Sequence, residues 1–195
     1  IVGNKIYSDE ELLKNFKLKP RTWRSFFSKR EPYSKENLKG DLENLESFYK
    51  NRGFLKFNVD SSSVSLSEDK KNIFITVNIS ENDLFFNNEV SYAGDLPDAI
   101  DPLAIIQITQ FIVPNNIFSQ EALTFAEDQI TSLMSNQGFS SAEVIASTEE
   151  AEKENFVDIT IFIDPGQRTY VRKINFSGNK RTHDVVLRRE MRQME

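Results

Sequence analysis

Few side chains in this sequence could do covalent or metal chemistry, and none sits in a catalytic pattern. There are no cysteines, which removes thiolate nucleophiles, disulfides and cysteine zinc sites. The one histidine, His183, follows Thr182 at a helix start. That position suits a surface or capping role, since a triad or metal site needs partners that its neighbours do not supply. The 30 Asp and Glu residues fall in turns and on helix faces, where carboxylates are solvated, and no spacing brings two into a protected pocket. The seven glycines form no Walker loop and no dinucleotide fingerprint. No two of them stand three apart, so the Gly-x-x-Gly loop of a KH-like nucleic-acid-binding module is missing. No catalytic residue, cofactor or metal is expected.

One stretch invites a nucleic-acid or membrane reading. Between Lys17 and Pro32, the basic residues Arg21, Arg24, Lys29 and Arg30 alternate with Trp23, Phe26 and Phe27. Such interleaving suits stacked bases or a lipid surface. The chain as a whole carries a net charge of −6, which opposes both and argues against a nucleic-acid partner. Trp23, Phe26 and Phe27 are instead expected to cover the open end of a helix–sheet core. The 195 residues, 38% hydrophobic and 28% charged, suit about two small folded units. No run of about 18 apolar residues is present. Ile1-Val2 before Gly3-Asn4 reads as the end of a strand, as if the chain were a piece of a longer one.

The elements follow from periodicity. Ser8-Asp9-Glu10-Glu11 has the pattern of a capping box and starts a helix burying Leu12, Leu13 and Phe16, with Pro20 ending it. A second helix runs from Tyr33 to Gly53, capped by Ser34. Leu38, Leu42, Leu45, Phe48 and Tyr49 lie on one face, and Gly53 terminates it. This pattern recurs at Phe118 to Phe139, with Ser119 as cap, Leu123, Ile130, Leu133 and Met134 inward, and Gly138-Phe139 closing it. Caps and terminal glycines are both 85 residues apart, a repeat period that sets the architecture. Phe57 to Leu66 alternates as a half-exposed strand, and Ile73 to Ile79 is a strong β run that recurs at Phe156 to Ile163. A weaker strand is expected near Glu89 to Tyr92, a helix start at Asp101-Pro102, and a strand near Ala142 to Ala146. Val171 to Phe176 alternates as a further strand, and a helix begins near Asp184.

The unit is thus β-α-α-β-β, present twice and begun a third time: residues 1–81 lacking most of the first strand, 82–167, and 168–195 with only a first strand and helix. The expected fold class is α+β, each unit a three-stranded mixed sheet covered by two antiparallel helices. Short linkers near Glu81–Leu84 and Gly166–Thr169 should permit restricted hinge motion.

This order, with Gly-Asn after the first strand and Arg52-Gly53-Phe54 after the second helix, resembles the POTRA (polypeptide-transport-associated) repeat. The resemblance is to the periplasmic repeats of outer-membrane β-barrel assembly factors. It is carried by Gly40-Asp41-Leu42-Glu43, Phe57-Asn58-Val59-Asp60, Val64-Ser65-Leu66, Asp69-Lys70-Lys71 and Thr76-Val77-Asn78-Ile79. Tyr170 to Ile174 and Val186 to Glu195 extend it. It implies tandem POTRA repeats, the third, fourth and start of the fifth. The Trp23 loop and Asp95 to Asn115 depart from the pattern. The implied role is a non-enzymatic periplasmic scaffold, with unfolded outer-membrane proteins and accessory lipoproteins as partners. Membrane contact would come only through a C-terminal barrel outside this sequence. Other POTRA proteins of secretion or cell division share the same pattern.

A three-stranded sheet leaves backbone groups unpaired along its flanks, and an extended guest can add there by β-augmentation. The strand carrying Phe57, Val59, Asp60, Val64 and Leu66 is the less apolar member of its hairpin and is expected to be that edge. Resemblance to the family assigns partner contacts, including those of a propeller-shaped lipoprotein, to Asp60, Leu66 and, more loosely, Val64. It likewise suggests docking of a second lipoprotein at Arg188, Arg192 and Glu195, whose spacing places them on one helical face.

Overall fold

The computed structural model describes residues 1–18, 33–70, 72–178 and 181–191. The Trp23 loop falls outside them, as do Arg192 and Glu195. In chain order the elements are α1 (Asp9–Leu12), a 3-10 turn (Leu13–Asn15), α2 (Lys35–Lys50), β1 (Asn58–Leu66) and β2 (Ile73–Ser80). Then come β3 (Phe86–Gly94), α3 (Pro102–Thr109), α4 (Gln120–Asn136), β4 (Glu143–Glu150), β5 (Phe156–Asp164) and α5 (Asp184–Glu190).

Residues 86–164 form a complete β-α-α-β-β unit. Its sheet has the order β3-β5-β4, with β3 parallel and β4 antiparallel to β5. β5 is therefore paired on both sides. Val157, Ile159, Ile161 and Ile163 are buried on one face of it, the period of two that puts alternate residues against the helices. They meet Ile105 from α3 and Leu123, Ala126, Ile130 and Met134 from α4. In the first unit β1 and β2 form an antiparallel pair, and Val2 bridges Asn78 in parallel on the other side of β2. Leu12, Phe16, Leu45, Tyr49, Phe54, Phe57, Val77 and Ile79 make its core.

Local chemistry sets the boundaries. Ser34 and Ser119 accept from the backbone N–H of Asn37 and Ala122, and Asp101 from that of Leu103, each satisfying a donor that a helix start leaves free. Gly3, just after the bridging Val2, and Gly94, at the end of β3, have φ of +104° and +97°. A Cβ at either would lie 2.1 Å from the carbonyl oxygen of Ile79 or Ile163, so only glycine fits.

Four expectations change. The first helix is a single α turn followed by a 3-10 turn and ends with Phe16 extended, before Pro20. The strand expected at Glu89 to Tyr92 spans Phe86–Gly94, its alternation masked by a bulge between Asn87 and Val90. β4 runs on to Glu150 because β5 pairs with it that far. Val171 to Phe176 forms no ladder with any described strand, and the Ile174 carbonyl accepts from the Arg188 side chain instead. On α3, Ile105 is buried while Leu103 and Ile106 are exposed.

Not all carboxylates are solvated. Asp41 is fully buried and accepts from the backbone N–H of Lys17 and Leu18 at 2.7 and 2.9 Å. Glu81, expected in a linker, is buried and accepts from Lys5 N, Ile6 N and the Tyr49 hydroxyl. Each charge enters the protein because backbone donors meet it there. Burial, then the Glu81 hydrogen bond and charge, raise the Tyr49 pKa above its ordinary value.

The junction between units is hydrogen-bonded too. The Gly53 carbonyl accepts from Phe85 N at 2.8 Å, and the Gly138 carbonyl from Thr169 N at 2.7 Å. Asn51 at the end of α2 accepts from Glu121 N and donates to the Glu121 carboxylate. The Glu81 clasp predicts that Glu81→Ala, which strands several donors, lowers first-unit stability by about 3 kcal/mol. Tyr49→Phe, which removes one neutral donor, should cost about 1 kcal/mol. Urea unfolding followed by first-unit amide signals measures both.

Candidate functional site

β1 pairs with β2 from Asn58↔Ser80 to Leu66↔Ile73, with a register shift between Val59 and Ser61. The hairpin closes with Ser67 N donating to Asn72 O. In an antiparallel ladder, alternate residues point both backbone groups at the partner. Ser61, Ser63 and Ser65 therefore face β2, and Ser62, Val64 and Leu66 face outward. Among the described residues nothing pairs with those outward groups. Val64 and Leu66 are 42% and 54% exposed, so they do not pack onto the helices. The remaining positions of this stretch are serines, too small to shield the backbone from an approaching strand.

Asp60 sits at the bulge. Its carboxylate accepts from Ser80 Oγ at 2.6 Å and Asn58 Nδ2 at 2.8 Å. These two bonds hold its pKa below the ordinary carboxylate value. The bulge thus fixes where the regular edge begins. Val59 is half-buried against the core. Phe57 precedes the strand, is buried, and stacks on Tyr49 with centroids 4.2 Å apart. Of the five edge residues named from sequence, Asp60, Val64 and Leu66 are exposed, while Phe57 and Val59 anchor the strand from inside.

A POTRA family profile, described as surface antigen variable number repeat, matches residues 1–82 and 88–166. The chain belongs to the POTRA family. It is 32% identical over its whole length to the outer membrane protein assembly factor BamA of Buchnera aphidicola, covering 31% of that protein. With BamA of Neisseria meningitidis it shares 27% over 99% of this chain and 24% of the relative. The chain therefore spans about a third or less of the curated relatives it matches. Among solved structures, Haemophilus influenzae BamA POTRA3-5 superposes with a TM-score of 0.77 at 24% identity, over 99% of this chain and 74% of that one.

The remaining predicted residues lie beyond the two matched POTRA repeats. Arg188, on α5, donates to the Ile174 carbonyl at 2.7 Å and lies over the Phe176 ring. α5 ends at Glu190 and Met191 is extended; Arg192 and Glu195 lie outside the described residues. His183 stands at the N-cap position of α5, but its side chain makes no capping bond. Among the described residues no group of three or more His, Cys, Asp or Glu could hold a metal ion. No described helix is long and apolar enough to cross a membrane.

Sequence reasoning overlooked Asp41 and Glu81. Asp41 did carry a signal, for it occupies the apolar stripe of α2 with Leu38, Leu45 and Tyr49. A charge on such a stripe indicates a buried partner.

The bulge contacts predict a pH response. The Asp60 pKa is depressed in the fold, so its stabilisation is fully present above the unfolded value near 3.8 and is lost as pH falls through the lower folded value. Carboxyl NMR titration should give Asp60 a midpoint below 3.8, and Ser80→Ala should move it upward.

Proposed function

We propose that this POTRA segment is a non-enzymatic periplasmic scaffold of outer-membrane β-barrel assembly. It receives unfolded outer-membrane protein strands by β-augmentation along β1. It also holds accessory lipoproteins beneath a barrel embedded in the membrane. The observation that carries this reading is the outward row of backbone groups at Ser62, Val64 and Leu66, unpaired among the described residues. Main-chain hydrogen bonds give affinity without demanding a sequence, which suits a scaffold whose clients share only their alternating strands. The resemblance to part of two BamA proteins, over nearly the whole of this chain, supports the cellular setting.

Asp60, Val64 and Leu66 are the proposed contacts for partners at this edge, including a propeller-shaped lipoprotein. Arg188, Arg192 and Glu195 are the proposed contacts for a second lipoprotein. The repeats would be the third and fourth of five, with the start of the fifth.

Two measurements test this. Val64 turns its N–H outward, so Val64→Pro removes a guest-facing donor without costing a β1–β2 bond. A folded V64P variant should bind an unfolded outer-membrane protein on the order of tenfold more weakly, as expected for one lost hydrogen bond and a clash. Undiminished capture would refute docking at β1. Separately, Glu195→Lys in the complete protein should reduce lipoprotein recovery in pull-downs, and full recovery would retire that contact.

A further inference from the structure

The two POTRA sheets present analogous edges, β1 and β4, and the structure treats them differently. Ala151 N donates to Phe156 O where the second hairpin closes, so the same alternation turns Val144, Ala146, Thr148 and Glu150 outward. The outward Ala146 N–H is occupied: it donates to the Glu127 carboxylate at 2.6 Å. Glu127 reaches it from α4, the helix packed against β4. The end of the same strand is held by Lys56 of the first unit, 2.8 Å from the Glu150 carboxylate.

Among the described residues the first unit has no counterpart. The residue matching Ala146 is Ser62, 84 positions earlier by the hairpin repeat, and the residue matching Glu127 is Leu42, 85 earlier by the helix repeat. Leu42 has no acceptor and packs against its own core.

From this asymmetry, we infer that Glu127 is a built-in stopper that closes the β4 edge to extended polypeptide and directs clients to β1. The inference rests on the β-augmentation reading above. A guest strand must place a carbonyl at the Ala146 N–H, midway along β4. A carboxylate already bonded there competes as a charge-assisted acceptor and sets its negative charge against the guest's carbonyl dipole. Glutamates 143, 149 and 150 at the ends of the strand deepen that repulsion. Edge charges of this kind keep sheets from unwanted pairing. Specificity for one edge would thus come from a block on the other, with no difference in backbone geometry required.

Two readouts on the 195-residue chain test the stopper. The first is amide hydrogen exchange at Ala146 without any guest. Glu127→Ala should accelerate it on the order of tenfold, as for loss of one hydrogen bond, while Glu127→Gln, which retains a carbonyl acceptor, keeps most of the protection. Unchanged exchange in E127A would overturn the inference whatever any peptide does. The second uses a nitroxide-labelled peptide of alternating apolar and polar residues, with amide broadening read by NMR. In the wild type, broadening should fall on Ser62 to Leu66 and spare Val144 to Thr148. In E127A it should appear on both. Equal broadening of β4 in the wild type, or none in E127A while β1 is occupied, would overturn the stopper. Absence of broadening at β1 in the wild type would instead overturn β1 docking, and Ala146 exchange would still decide the role of Glu127.

Discussion

Each backbone N–H in a sheet needs an acceptor, and a sheet of two or three strands cannot supply one for every flank. β5 is bonded on both sides and β2 is bonded to β1 and, through Val2, to the start of the chain. Each remaining strand is left with an outer edge, and each edge is handled by different chemistry. The first part of β3 is covered by the segment before α4, through Asn87 N to Asn116 O, Asn115 N to Asn87 O and Phe118 N to Phe85 O. β4 meets a carboxylate from its own helix at Ala146. Among the described residues nothing covers β1 from Ser62 to Leu66. A long bare edge ordinarily invites aggregation, and the proposed docking role gives such an edge a use.

The same demand for hydrogen bonds ties the repeats together. Chain leaving each sheet passes the end of the second helix, where a glycine carbonyl accepts its N–H: Gly53 for Phe85, Gly138 for Thr169. The Gly-Phe motif is thus both a helix terminator and a socket for the next repeat. Asn51 adds a second tie by capping Glu121 at the start of α4. These contacts bear on where β1 and β4 stand relative to each other, because Lys56 near the start of β1 reaches Glu150 at the end of β4.

Much of this was legible in the sequence because it rests on local periodicity. Ser34, Ser119 and Asp101 announce their helices, and the 85-residue repeat pairs α2 with α4. The strong runs at Ile73 and Phe156 mark the central strands, whose alternation follows from burial on one face. What escaped notice depends on contacts distant in sequence. Glu81 is held by Lys5, Ile6 and Tyr49, and no local pattern records that meeting. The Glu127–Ala146 bond spans a helix and a strand whose register had first to be known. Val171 to Phe176 shows the converse: alternation states a capacity for pairing, and pairing needs a neighbour.

The docking role of β1 is tested most directly by amide exchange at Ser62, Val64 and Leu66 with and without a saturating unfolded outer-membrane protein segment. Docking by β-augmentation predicts that these amides slow on binding while Ser61, Ser63 and Ser65, already bonded to β2, change little. Saturated binding that leaves the outward amides exchanging at their free rate would contradict it.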